Sequence, residues 1–135
     1  MAGYSATPLW KKLGYTANLE ALLVNAPADY AKLLALPAEM KVVWRARAER
    51  GMRFVHVFAS ETAALEKQLA KLRKEIAPDG VVWVSWPKKS SGAETDLTDN
   101  KIRAVALPMG FVDIKVCSID EKWSGLKLMI RRTER

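Results

Sequence analysis

Four short apolar runs set the limits on what this chain can become: Ala21-Leu22-Leu23-Val24, Met40-Lys41-Val42-Val43-Trp44, Phe54-Val55-His56-Val57-Phe58 and Val81-Val82-Trp83-Val84-Ser85-Trp86. A strand with one wet face alternates apolar with polar residues, whereas a strand covered on both faces reads as a nearly continuous apolar run. Turn chemistry punctuates them. Asn25-Ala26-Pro27 ends the first, Gly51 lies in the arginine-rich turn from Arg45 to Arg53, and Pro78-Asp79-Gly80 launches the fourth.

Helical patterns fill the intervals. Thr7-Pro8 followed by Leu9, Trp10 and Leu13, closed by Gly14, predicts a short opening helix, and Asp29 to Leu36 predicts another that Pro37 ends. Ser60 is expected to cap the clearest helix, with Leu65, Leu69, Leu72 and Ile76 on one face. Thr98 caps a last helix holding Ile102, Val105 and Ala106, which Pro108 and Gly110 stop. Beyond it, Val112, Ile114 and Val116 alternate with polar residues, as do Leu126, Leu128 and Ile130, so an antiparallel hairpin joined through 118–123 is expected.

Doubly buried strands alternating with helices require a parallel sheet with right-handed crossovers. The expectation is an α/β, Rossmann-like three-layer fold with a mostly parallel six-stranded sheet, a C-terminal antiparallel hairpin and one domain over 1–135. Its second half resembles a class I methyltransferase, through Pro78-Asp79-Gly80 before a strand, then a helix, Gly110-Phe111 and the hairpin. That resemblance implies the strand order 2-1-3-4-6-5, with strand 6 reversed.

A second resemblance rests on longer quotations. Val84-Ser85-Trp86-Pro87-Lys88-Lys89-Ser90-Ser91-Gly92, Thr95-Asp96-Leu97-Thr98, the run Leu107 to Cys117, and Trp123-Ser124-Gly125-Leu126-Lys127 resemble the bacterial domain of unknown function 3052 family. Gly3-Tyr4-Ser5, Thr7-Pro8-Leu9, Lys11 to Gly14 and Leu22 to Pro27 extend the likeness, while 28–53 is matched least. This family implies no activity.

In open α/β sheets, ligands bind outside the carboxyl ends of the strands. Asn25, Ser60 and the loop from Trp86 to Thr98 are expected to gather there, with Lys88, Lys89, Ser90, Ser91, Gly92, Thr95, Asp96 and Thr98 able to hold a small anionic ligand such as a nucleotide, or a protein partner. The same residues would also make an ordinary exposed turn, since no P-loop spacing accompanies them. Asp96 and Asp99 straddle Thr98, which helix capping explains.

Methyltransferase chemistry meets two obstacles. The fold resemblance implies a glycine turn after the first strand and an acidic residue after the second to hold a ribose. This chain has no glycine between Gly14 and Gly51, and Arg45 and Arg47 stand where the carboxylate should be. A degenerate S-adenosylmethionine-dependent methyltransferase is therefore the lesser alternative to a non-catalytic domain, and the sequence requires no cofactor.

The net charge of +7 would favour acidic partners, but Lys and Arg are dispersed, so a solvated basic surface competes with a nucleic-acid-binding one. Trp86 with Lys88 and Lys89, and Trp123 with Lys122, could form an aromatic and basic platform. His56 and Cys117, each the sole residue of its type, offer no metal cluster. His56 reads as a hydrogen-bonded core residue with no nucleophile in evident reach, and Cys117 as an inert thiol. No apolar run is long enough to span a membrane, and a cytoplasmic location is expected.

Overall fold

The computed structural model describes residues 7–135; Gly3-Tyr4-Ser5 of the family resemblance lie outside the described residues. The elements are α1 (Leu9–Leu13), β1 (Leu19–Val24), α2 (Tyr30–Leu34), β2 (Val42–Arg45), β3 (Met52–Phe58), α3 (Thr62–Glu75), β4 (Ile76–Pro87), α4 (Asp99–Ala106), β5 (Phe111–Ser118) and β6 (Trp123–Ile130). They form one six-stranded sheet in the order β2-β1-β3-β4-β6-β5. Strands β1 to β4 run parallel, while β6 is antiparallel to both β4 and β5. The expected fold class and strand order are both met.

Two apolar clusters account for the continuous strand patterns. On one face Leu65, Leu69 and Leu72 of α3 and Ile102 and Ala106 of α4 pack on Val55, Val57, Val82, Val84, Leu126 and Leu128. On the other, Leu13 of α1 and Tyr30 and Leu34 of α2 pack on Ala21, Phe54, Phe58 and Trp83. Met52, Val55 and Val57 of β3 face the first cluster and Phe54 and Phe58 the second, so the strand is apolar on both faces apart from exposed Arg53 and the hydrogen-bonded His56. Each fully buried leucine or phenylalanine contributes about 1.5–3 kcal/mol, which is why the layers form.

Several boundaries differ from the sequence expectation. Helix α2 stops at Leu34 because Ala35 takes a left-handed conformation (φ 52°), two residues before Pro37 can act. Strand β4 begins at Ile76, so Pro78-Asp79-Gly80 lies within it, and the register with β3 shifts between Met52 and Phe54 to absorb the extra residues. Gly80 is required there: a Cβ would stand 2.9 Å from the Met52 carbonyl and 3.0 Å from that of Ala77. Strand β5 alternates only in part, because Ile114 bulges between Asp113 and Lys115.

The arginine-rich stretch is a crossover rather than a hairpin turn. Strands β2 and β3 both pair with β1 in parallel, so 46–51 carries the chain across β1 without a helix. A groove of about 390 Å³ remains beside it, between β1, Ala46–Ala48 and α3. Among the described residues no helix is long and apolar enough to cross a membrane.

Candidate functional site

Strand β1 leads through α2 to β2 on one side, and β3 leads through α3 to β4 on the other. The sheet's topological switch point therefore lies between the carboxyl ends of β1 and β3, where α/β sheets open a crevice. A cavity of about 320 Å³ is found there, lined by Asn25, Phe58, Ser60, Glu61, Gln68 and Trp123, with Ala59 and Ala64 between them.

Each wall has a local cause. Asn25 takes φ 58°, the left-handed turn that glycine usually supplies and asparagine tolerates, and it lines the crevice with a side chain that glycine would lack. Glu61, Ala64 and Gln68 share a face because they are spaced by three and four along α3. The Gln68 Oε1 atom is sealed from solvent and has no hydrogen-bond partner. Trp123 comes from the far side of the sequence: β6 runs backwards, so its first residue reaches the end where the parallel strands finish. Its ring meets Phe58 edge-on at 5.0 Å, and its backbone N–H and that of Lys122 donate to Asp120 Oδ1.

The sequence-predicted residues divide into two groups. Asn25 and Ser60 line the cavity, and Ser60 also lines an adjoining hollow of about 580 Å³ with Glu61, Glu94, Thr95 and Asp96. Thr95 Oγ1 donates to the Ser60 carbonyl at 2.7 Å, and Asp96 Oδ1 accepts from the Thr62 N–H at 2.8 Å. The cap of α3 is thus Asp96, from 34 residues away, and not Ser60. That N–H, with smaller help from Lys101, holds the Asp96 carboxyl below its ordinary range.

Trp86, Lys88, Lys89, Ser90, Ser91, Gly92 and Thr98 line neither hollow. Trp86 is buried in the core beneath α3 and α4. Lys88 Nζ donates to Ser118 Oγ at 2.6 Å and to the Asp120 carbonyl at 2.7 Å, bracing the hairpin turn. Lys89, Ser90 and Ser91 form a single 3₁₀ turn ended by Gly92 at φ 75°, with Ser91 Oγ donating to the Lys88 carbonyl. Thr98 Oγ1 accepts from Lys101 N–H and caps α4, as expected, while Asp99 pairs with Arg103.

Charge around the crevice follows from this division. Glu61 belongs to both hollows, Glu94 and Asp96 face the second, and neither is lined by Lys or Arg. The groove beyond Gln68 carries Arg47 and Lys71. Sequence reasoning missed Gln68, and it named Trp123 only as part of an aromatic and basic platform with Lys122 and not as a wall of this cavity. The spacing of 61, 64 and 68 on an amphipathic helix could have signalled the first, but the position of Trp123 needed the strand reversal.

His56 is fully buried, with Nε2 2.7 Å from Ser85 Oγ and Nδ1 2.9 Å from the Tyr30 hydroxyl, which in turn lies 2.7 Å from that of Tyr15. A serine hydroxyl does reach it, contrary to the sequence expectation. Ser85 is equally buried, and the Phe58 ring stacks on the imidazole at 4.4 Å on the side of the crevice, so no substrate meets this pair. Burial pulls the imidazole down to about 3 and pushes both tyrosine hydroxyls up.

No protein-family model matches the sequence, and no curated protein matches it. Solved structures do. A SAM-dependent methyltransferase from Aquifex aeolicus superposes with a TM-score of 0.61 at 14% identity, over 89% of this chain and 86% of that one. DhpI in complex with SAH gives 0.59 at 13% identity, over 92% and 82%. LepI in complex with SAM gives 0.56 at 10% identity over 93% of this chain, which spans 47% of LepI. The chain thus has a class I methyltransferase-like Rossmann fold.

Proposed function

We propose that this is a ligand-binding domain of methyltransferase-like fold whose switch-point crevice holds a planar heterocycle without a phosphate, of the nucleobase or nucleoside class. The observation that carries the reading is the pairing of Gln68 with Trp123 on the cavity wall: the Gln68 side chain, whose amide oxygen has no partner within the chain, can turn to meet a ligand N–H and recover about 1–3 kcal/mol. Trp123 supplies an aromatic wall for such a ring, and Asn25 and Ser60 supply further donors and acceptors. The volume lies at the lower end of the roughly 300–1,000 Å³ usual for small-molecule sites.

Two features argue for an uncharged ligand over the nucleotide suggested by the lysines of the 86–98 loop. Glu61, Glu94 and Asp96 ring the opening, and the α3 N-terminus, an ordinary anion site, already holds the Asp96 carboxylate. S-adenosylmethionine does not fit in the manner its fold implies. Asn25 presents a side chain where a bare turn is needed, and Arg45, at the end of β2, is ion-paired to Glu20 of β1 where a ribose-binding carboxylate should stand.

Isothermal calorimetry with adenosine, guanosine, their 5′-monophosphates and S-adenosylmethionine tests the reading. A nucleoside is expected to bind at least about tenfold, or 1.4 kcal/mol, tighter than its monophosphate, with a comparable loss in Gln68→Ala. No heat from any nucleoside at millimolar concentration, or tighter binding by the monophosphate, would overturn it.

A further inference from the structure

The face of the hairpin turned away from α3 and α4 carries an arrangement that the crevice does not use. Strand pairing sets Lys115 of β5 directly opposite Lys127 of β6, and Lys127 opposite Trp83 of β4. Like charges directly opposite one another weaken a strand pair. No carboxylate relieves them: among the described residues every ion pair is made by an arginine. Burial first, and Lys115 second, pull the Lys127 ammonium below its ordinary range.

Lys12 belongs to the same group. It lies in the last turn of α1, which is anchored by the Trp83 indole N–H donating to the Leu13 carbonyl at 2.9 Å. Burial raises the Cys117 thiol, and the charges of Lys115 and then Lys12 oppose that rise, so both ammonium groups act on the same point of this face. Covering the tryptophan explains part of this: Trp83 is fully buried, with Lys115 Nζ 5.9 Å from its ring centroid. Lysine stems cover apolar surface well. Attraction of the Lys115 ammonium to the Trp83 ring accounts for that charge, but no ring or carboxylate contact accounts for the second ammonium, that of Lys127, directly opposite it.

We propose that Lys12, Lys115 and Lys127 form a surface for the phosphate backbone of nucleic acid, separate from the crevice. A polyphosphate needs only cationic donors, whereas a membrane surface needs apolar side chains beside them. Of the exposed large apolar residues, Val43 and Trp44 are on β2 at the far edge, Val116 pairs with core residue Leu126 and so points to the opposite face, and Ile114 alone adjoins a member of the group. Ile114 sits in the bulge.

Fluorescence anisotropy with mixed-sequence single- and double-stranded oligonucleotides, titrated with salt, tests this. Three phosphate contacts predict a slope of log K against log[salt] of about −2 to −3. The double variant K115Q/K127Q removes both charges and their repulsion, at the cost of shorter stems over Trp83, and should lose about two-thirds of that slope. The control K32Q/K67Q, on α2 and α3, should leave it unchanged. Should the double variant melt early, K115Q alone is read instead, with a loss of about one-third expected. No binding at low salt, an equal loss in the control, or binding to phosphatidylserine vesicles but to neither oligonucleotide would overturn the proposal.

Discussion

His56 Nε2 and Ser85 Oγ are 2.7 Å apart with neither residue exposed, so this histidine and serine form an internal strut between neighbouring parallel strands and not a reactive pair. The Tyr30 and Tyr15 hydroxyls continue the strut to α2 and to the segment after α1. Every polar atom along this line has a partner, which is what allows a histidine in a core otherwise made of Phe, Trp and Leu.

Removing one member exposes the cost. Ser85→Ala leaves the imidazole Nε2 buried without its partner and is expected to lower unfolding free energy by about 1–3 kcal/mol in urea denaturation.

The strut also sets a pH dependence. His56 titrates near 6.5 when unfolded and near 3 when folded, so the unfolded chain takes up the proton first. Its contribution is complete above pH 6.5 and falls as the pH drops towards 3, with a limiting slope of about 1.4 kcal/mol per pH unit. Between pH 6.5 and 5, where few carboxylates titrate, urea denaturation should show that slope in the native chain and its absence in His56→Phe.

Gly80 marks the place where β4 absorbs its extra residues against β3. Gly80→Ala puts a Cβ 2.9 Å from the Met52 carbonyl, a backbone atom that cannot swing aside. The expected cost is about 1–3 kcal/mol, seen as a lower thermal midpoint, with no change in ligand affinity beyond that due to unfolding.

Ala64 faces the crevice from the exposed side of α3. Ala64→Phe should fill the cavity and abolish nucleoside binding in calorimetry. Stability should stay within about 0.5 kcal/mol, as for substitutions outside the core.

Asp96→Ala removes the cap of α3 and should lower the thermal midpoint, with Asp96→Asn intermediate. Because the folded carboxyl titrates below its ordinary range, the loss should be present at neutral pH and vanish as acid protonates Asp96 in the native chain.

The strands, the hairpin and the capping of α4 by Thr98 were legible in the chain, because each follows from local periodicity or a turn residue acting on its neighbours, whereas the order of the sheet came only from the resemblance of the second half to class I methyltransferases. The site was legible only in part. Asn25 and Ser60 were placed by the rule that strand ends gather at one rim. Lys88 looked available for an anion but is consumed by Ser118 and Asp120, and Trp86 looked like a rim aromatic but faces the core. The fate of Lys88 is set by residues 30 and 32 positions away, and that of Trp86 by helices packed over it from both sides of the sequence.

Sequence alone determined that this chain builds a doubly covered sheet closed by a reversed hairpin, since apolar periodicity is a property of neighbours and burial enforces it. Tertiary structure decided which polar groups remain free to act. A hydroxyl, an amide or an ammonium is available only if no distant atom has claimed it, and that is settled by the packing of helices on the sheet, which brings Asp96 to α3, Ser85 to His56 and Lys115 to Lys127.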